Sequence, residues 1–322
     1  MLPPYTRPFL SFTDQVELLK NRGLSVTDDW RAERHLQRIG YYRLKDYWYS
    51  FRETETVIDA QGGASVRLLE TFRPGTRFED AVALYVFDKR LRLLMIDVIE
   101  RIEVALRVSI AHTLGRRDLW AHRDHRFLDP KRAIATRPGG TRHSEWLDRA
   151  DIAERRSRSE WVRAYRASYS SPLPVVMAVE NWDFGTLSHL MEMLHPGDRV
   201  TISRQYGIPK PEMLPSWMRA ISGVRNICAH HGRLWNHPLV DQPMVPSKAD
   251  MPELSHIGTY TATQTRVYGV AATCAHLLGV IQPASQWRVR MRTLWNEFPQ
   301  IGGINPLQAG FMPSWRNLPL WN

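Results

Sequence analysis

The chain has 322 residues, with 43 Lys and Arg against 33 Asp and Glu and a formal net charge of +10. That length suits one large domain with extensions or two small ones, and the basic excess attracts polyanions, nucleic acid being the commonest. Two cysteines far apart in sequence, Cys228 and Cys274, argue against a disulfide scaffold and for a reducing cytoplasm.

The first ten residues hold three prolines and no apolar core of a signal peptide, and later apolar stretches are broken by charges short of a membrane span. Ser11 or Thr13 is placed to cap a helix through Val16, Leu18 and Leu19, with Gly23 ending it. A second helix is expected from Thr27 or Asp28 to Ile39, followed by the aromatic block from Gly40 to Trp48. Residues 53–77 carry Gly62-Gly63 and Pro74-Gly75, so turns and a short hairpin are expected. Over 78–114, Leu84, Leu91, Met95, Val98, Ile102, Ala105 and Leu106 recur at helical spacing, with Gly115 as the stop. On another face of that helix Glu103 and Arg107 are four apart and can pair.

Residues 116–158 are charged and interrupted by Pro130, Pro138 and Gly139-Gly140, which reads as an irregular insertion. Helices resume over 159–206. The next is expected from Pro215 to His231, with Gly232 ending it, then 258–281 and 286–298, before a Gly-, Pro- and Trp-rich irregular tail. These readings make the chain mainly α, in three parts. They are an N-terminal helical extension (1–77), a helical domain (78–282) that holds the insertion at about 116–158, and a C-terminal helix and tail (283–322).

The helix over 215–231 carries the densest polar chemistry. Its apolar stripe is Trp217, Ile221, Val224 and Cys228. At about 100° per residue, Arg219, Asn226 and His230 project from the opposite side, with Ser222 beside them and Arg225 on the flank. Arg225 and His230 form an R-x4-H pair. An arginine can hold a phosphate while a histidine moves the proton of a ribose 2′-OH, so the pair suits RNA cleavage without a metal. Five residues put the two about 140° apart on a regular helix, so they converge only through the reach of the arginine or because His230 sits where the helix ends. His231, Arg233 and Ser222 are candidate assisting groups. The same spacing at Arg107 and His112 makes a possible second site, against the plainer reading that Arg107 pairs with Glu103.

The rival chemistry is zinc, since Cys228, His230, His231 and His237 lie close in sequence, with His195 and His276 elsewhere. Cys228 is on the apolar stripe, away from His230, so no metal site is expected. Without GxxxxGK[ST], GxGxxG or GxSxG there is no support for nucleotide hydrolysis, dinucleotide chemistry or a serine hydrolase, and no cofactor is expected. The aromatic block is expected mainly to pack, with Arg43 and Lys45, like Arg219, as candidate RNA contacts.

Five segments in order, Gly40-Tyr41-Tyr42-Arg43-Leu44, Phe87-Asp88-Lys89-Arg90-Leu91-Arg92, Ile99-Glu100-Arg101-Ile102-Glu103, Phe184-Gly185-Thr186-Leu187-Ser188 and Arg225 to Asn236, resemble the bacterial Abi-like abortive-infection proteins of AbiD and AbiF type. The resemblance runs from about residue 8 to about residue 280. It implies a HEPN-like helical bundle, found in many ribonucleases of phage defence, whose R-x4-6-H pattern maps onto Arg225, Asn226 and His230. It also implies a homodimer, with two such pairs facing each other, and some AbiF-type members associate with a small structured RNA. The expected function is therefore a cytoplasmic, metal-independent endoribonuclease. The alternative is a non-catalytic protein that holds a structured RNA.

Overall fold

The computed structural model describes residues 4–6, 8–59, 61–137 and 140–322. Pro138 and Gly139 of the expected irregular insertion thus lie outside the described residues. The described chain is mainly helical, 61% helix against 7% strand, as the periodicity requires. It divides into two compact units, residues 1–91 with 294–305 and residues 92–293 with 306–322.

In the first unit, α1 (Phe12–Asn21) starts in a capping box. Ser11 accepts from the Asp14 N–H at 3.1 Å, and the Asp14 carboxylate accepts from the Ser11 N–H at 3.1 Å. Asp28 caps α2 (Asp29–Ile39), accepting from the Arg31 N–H at 3.0 Å. Gly40 at φ 91°, a conformation other residues rarely adopt, turns the chain directly into α3 (Tyr41–Trp48). This helix divides the aromatic block: Leu44, Tyr47 and Trp48 are buried, whereas Tyr42 is exposed. The expected hairpin is β1 (Arg52–Ile58) paired antiparallel with β2 (Ala64–Phe72), Val57 standing opposite Ser65. The first turns of α4 (Phe78–Gly115) complete the unit. There the Tyr47 hydroxyl donates to Asp88 at 2.7 Å in the interior. Phe87 meets Trp295 and Phe298 edge-on, each at 4.9 Å.

The second unit begins within α4, whose predicted stripe is buried apart from the half-buried Ala105. Short turns then lead to α5 (Pro130–Ala133) and a ladder of β3 (Thr136–Arg137) with β4 (Gly140–Thr141). The insertion is irregular only to that point. Arg142–Arg156 is a helix, α6, that the charge density concealed. Thr141 caps it by accepting from the Ser144 N–H at 3.1 Å, and it buries His143, Trp146 and Ala150 on one face. Then follow α7 (Glu160–Ser168), α8 (Val175–Ala178), α9 (Phe184–Met193), α10 (Pro196–Gln205) and α11 (Met213–Ala229). Asp183 caps α9, accepting from the Thr186 N–H at 2.6 Å.

The helix expected over 258–281 is broken. It forms α12 (Thr261–Thr265) and α13 (Val267–Ile281), with Arg266 extended between them. The two abut so closely that a Cβ on Gly269 would stand 2.8 Å from the Thr263 carbonyl oxygen. α13 is apolar on nearly every side, as a central helix must be, and α11 packs against both it and α9. α14 (Trp287–Asn296) follows. The tail is irregular in backbone yet packed: Phe311, Trp315 and Trp321 are buried, and Trp321 stacks on Trp287 with centroids 6.2 Å apart.

Candidate functional site

The end of α11 differs by one residue from the sequence expectation. Gly232 does not take the left-handed position that closes the helix. His231 does, at φ 58°, and His230 is the cap residue before it at φ −87°. The His231 N–H donates to the Cys228 carbonyl at 3.1 Å and the Gly232 N–H to the Ile227 carbonyl at 2.8 Å, the paired bonds of a Schellman turn. Glycine usually occupies this position. For another residue the left-handed conformation costs about 1–2 kcal/mol, although histidine adopts it more readily than most. α11 is therefore helical to Ala229, and His230, at ψ 8°, is the cap residue where the chain begins to depart.

Sequence-distant motifs converge on this helix. From α4, the buried Arg92 donates to the Gly232 carbonyl at 3.2 Å and so ties down the turn after His230. Eleven residues on, Glu103 pairs with Arg107 and shares its electrostatic environment with Arg225. Burial pushes the Glu103 carboxyl above its ordinary value against the pull of Arg107 and then Arg225, while Asp183 adds to the push. From α9, Gly185 lies against Ser222 of α11, where a Cβ would stand 3.5 Å from the Ser222 Oγ, an ordinary contact distance. Trp235, three residues beyond the turn, is fully buried.

The structure brings some of the predicted residues together and separates others. Arg225 is half-buried, and its Nη1 stands 3.5 Å from the Asn226 Oδ1. Asn226, His230 and His231 are exposed, and Arg233 is half-buried on the following turn. Ser222 is buried against Gly185, away from the exposed groups. Arg219 pairs with the buried Glu192, which also pairs with Arg142. Arg107 pairs with Glu103 as expected and donates to the Trp182 carbonyl at 2.7 Å, while His112 is exposed a turn further along α4. Arg43 and Lys45 lie on α3 in the first unit.

Three contributors were missed. Arg92 and Glu103 stand in the motifs, but nothing in their local spacing tells which helix they serve. Arg266 stands at the start of α13, where burial and then neighbouring Arg233 push its guanidinium down from the ordinary value. No Pro or Gly marks the break before α13, so Arg266 carried no local sequence signal.

The histidines considered for zinc have separate partners. His195 accepts from the Gly197 N–H at 3.2 Å, and His276 shares a 2.9 Å hydrogen bond with the Tyr206 carbonyl. Cys228 is buried. Among the described residues, no three His, Cys, Asp or Glu side chains gather as metal ligands would.

The molecule is thus a helical protein in which four separated motifs build the surroundings of one polar helix end. The chain belongs to the Abi-like protein family, whose family model matches residues 34–236, from within α2 to the last residue of the motif that follows α11. No curated protein and no solved structure gives a match. The family points to abortive infection, a form of phage defence. Among the described residues, no helix is long and apolar enough to cross a membrane.

Proposed function

We propose that this protein is a metal-independent endoribonuclease of HEPN type that acts in abortive infection. The observation that carries the reading is the presentation of Arg225, Asn226 and His230 at one helix end, with His230 exposed on the cap and the turn behind it fastened by Arg92. Five residues along a regular helix turn through about 140°, and His230 caps α11 directly after Ala229, so the Arg225 and His230 side chains of one copy diverge. A site shared between two copies turns that divergence to use, since each copy supplies both groups to a common groove. On α4, Leu93, Val104 and Val108 form an exposed aliphatic stripe, roughly 100° round the helix from Glu103, that a second copy would cover.

In this mechanism one His230 removes the proton from a ribose 2′-OH. The 2′-oxygen attacks the adjacent phosphorus, the bond to the 5′-oxygen breaks, and the partner copy's histidine gives that oxygen a proton. Arg225 holds the nonbridging oxygens as charge builds on them. Asn226 orients the phosphate or the imidazole, and His231 and Arg233 extend the cationic surface. The products are a 2′,3′-cyclic phosphate and a 5′-hydroxyl. We assign Arg107 to holding Glu103, Arg219 to the Glu192 pair and Ser222 to the α9 contact.

A second reading, an RNA-holding protein without cleavage, draws on the neighbouring Arg233 and Arg266, which would bind a phosphate whether or not His230 acts. Wild type and His230→Ala are compared on labelled structured RNA and matched DNA in excess EDTA. RNA cutting lost in the variant, with RNA still bound, supports the nuclease. Unchanged binding by both proteins with no cutting favours the holding reading.

A further inference from the structure

The first unit contains a second feature suited to nucleic acid. A cavity of about 540 Å³ lies between α1, α3 and the chain preceding α1. Its lining is rich in aromatic rings, among them Tyr5, Phe9, Phe12, Tyr41 and Tyr42. Folding has not hidden all of these rings: Tyr42 is 69% exposed and Phe9 95%. Among the described residues of the lining the charged ones are Lys45 and Arg22, the latter paired with Glu70.

The parts are held in different ways. Tyr41 is braced, accepting from Arg22 at 3.2 Å and meeting Trp48 edge-on at 5.3 Å. Tyr42 stands beside it with ring centroids 5.5 Å apart, and the Lys45 ammonium lies 5.8 Å from the Tyr42 centroid. A rigid tyrosine, an open tyrosine and a lysine one turn along are the components of a base-and-phosphate grip. An unpaired base gains by stacking on an aromatic face, whatever its sequence, and its phosphate gains from a cation within reach. A paired base has its faces covered by its neighbours and cannot enter. Arg22 is ion-paired with Glu70, so the lining cation presented beside the open tyrosine is Lys45.

We infer that this cavity binds unpaired nucleotides of single-stranded nucleic acid, with Tyr42 as the stacking platform and Lys45 as the phosphate contact. Arg43, on the same helix, is outside the lining. The inference extends the proposed RNA function to another surface, and it depends on binding rather than on cleavage.

The test uses the full chain carrying His230→Ala, so that cutting does not consume the probe. Fluorescently labelled oligouridylate, oligodeoxythymidylate of equal length and a blunt RNA duplex are titrated by anisotropy. Adding Tyr42→Ala should weaken single-strand binding roughly tenfold, Tyr42→Phe should retain it, and duplex binding should be unchanged. Lys45→Ala should weaken binding and reduce its salt dependence by about one phosphate contact. Equal affinity for the RNA and DNA strands identifies stacking and phosphate as the whole grip, and preference for RNA adds a 2′-OH contact. Parent-like single-strand affinity in both Tyr42→Ala and Lys45→Ala overturns the inference. So does a self-association that Tyr42→Ala abolishes while oligonucleotide binding stays intact, since the cavity would then hold protein. Loss of the nuclease reading with Tyr42-dependent binding preserved leaves this site standing, and the reverse outcome removes it alone.

Discussion

Acidification should destabilise the second unit through His122, by an amount that can be worked out. The ring is about 1% exposed, with Trp182 at 5.5 Å and Trp146 at 6.4 Å between centroids. Burial, then Arg123 and His143, lower its pKa from 6.5 to about 3. In the folded chain it is therefore neutral at pH 5, while in the unfolded chain it is mostly protonated. The unfolded state binds the extra proton, so stability is full above 6.5 and is lost as pH falls towards 3. At pH 5 the loss from this one group is about 2 kcal/mol, rising to about 4–5 kcal/mol below pH 3. Urea denaturation at pH 7.5 and pH 5 measures it, with a midpoint shift of about 1 M expected from His122. His122→Phe removes the titration and keeps a ring between the two tryptophans. Its acid loss should be smaller than that of wild type by about 2 kcal/mol. Equal acid losses in the two proteins would refute the reasoning, because the remaining titrating groups are common to both.

Four further outcomes are expected. Asp129→Ala should cost about 3–5 kcal/mol in urea denaturation, because it strips the buried Arg199 of a carboxylate at 3.1 Å and removes the α5 cap; a change below 1 kcal/mol would contradict it. Gly310→Ala should destabilise by about 2 kcal/mol or more, since φ is 89° and the new Cβ would meet the Ala262 carbonyl oxygen at 2.5 Å. Gly302→Ala, with open space around its Cβ, should stay within about 0.5 kcal/mol in the same thermal or urea assay. Arg225→Lys should lower RNA cleavage roughly 10²-fold or more while retaining most RNA affinity, because a lysine keeps the charge but loses the forked hydrogen bonds.

Local signals were legible where one residue type has one physical use. Ser11 and Asp28, each one of two candidate caps, mark helix starts, Gly23 marks the end of α1, and the α4 stripe gives the core face directly. α6 was concealed because its charged residues outnumber the apolar face supplied by Trp146 and Ala150. The break at Arg266 was concealed for another reason: the five residues before it, Thr261–Thr265, hold no Pro or Gly to mark a stop before the apolar run of α13. At the α11 end, Gly232 drew the stop signal that His231 supplies, because propensity favours glycine and tertiary structure overrides it here. The motifs were visible as strings, but that Arg92 fastens Gly232 while Glu103 faces Arg225 is a property of helices packed in space. Spacing along one chain does not encode such a pairing.

The central claim is attack by a ribose 2′-oxygen at the end of α11, and the most direct measurement removes that oxygen alone. A labelled RNA is cleaved in excess EDTA, the cut is mapped, and the same RNA is made with one 2′-deoxy sugar immediately 5′ of the scissile phosphate. The account predicts a 2′,3′-cyclic phosphate and a 5′-hydroxyl from the unmodified strand, and no cut at that position in the modified strand despite undiminished binding. Cleavage of the modified strand at the original rate, or products bearing a 5′-phosphate, would contradict it.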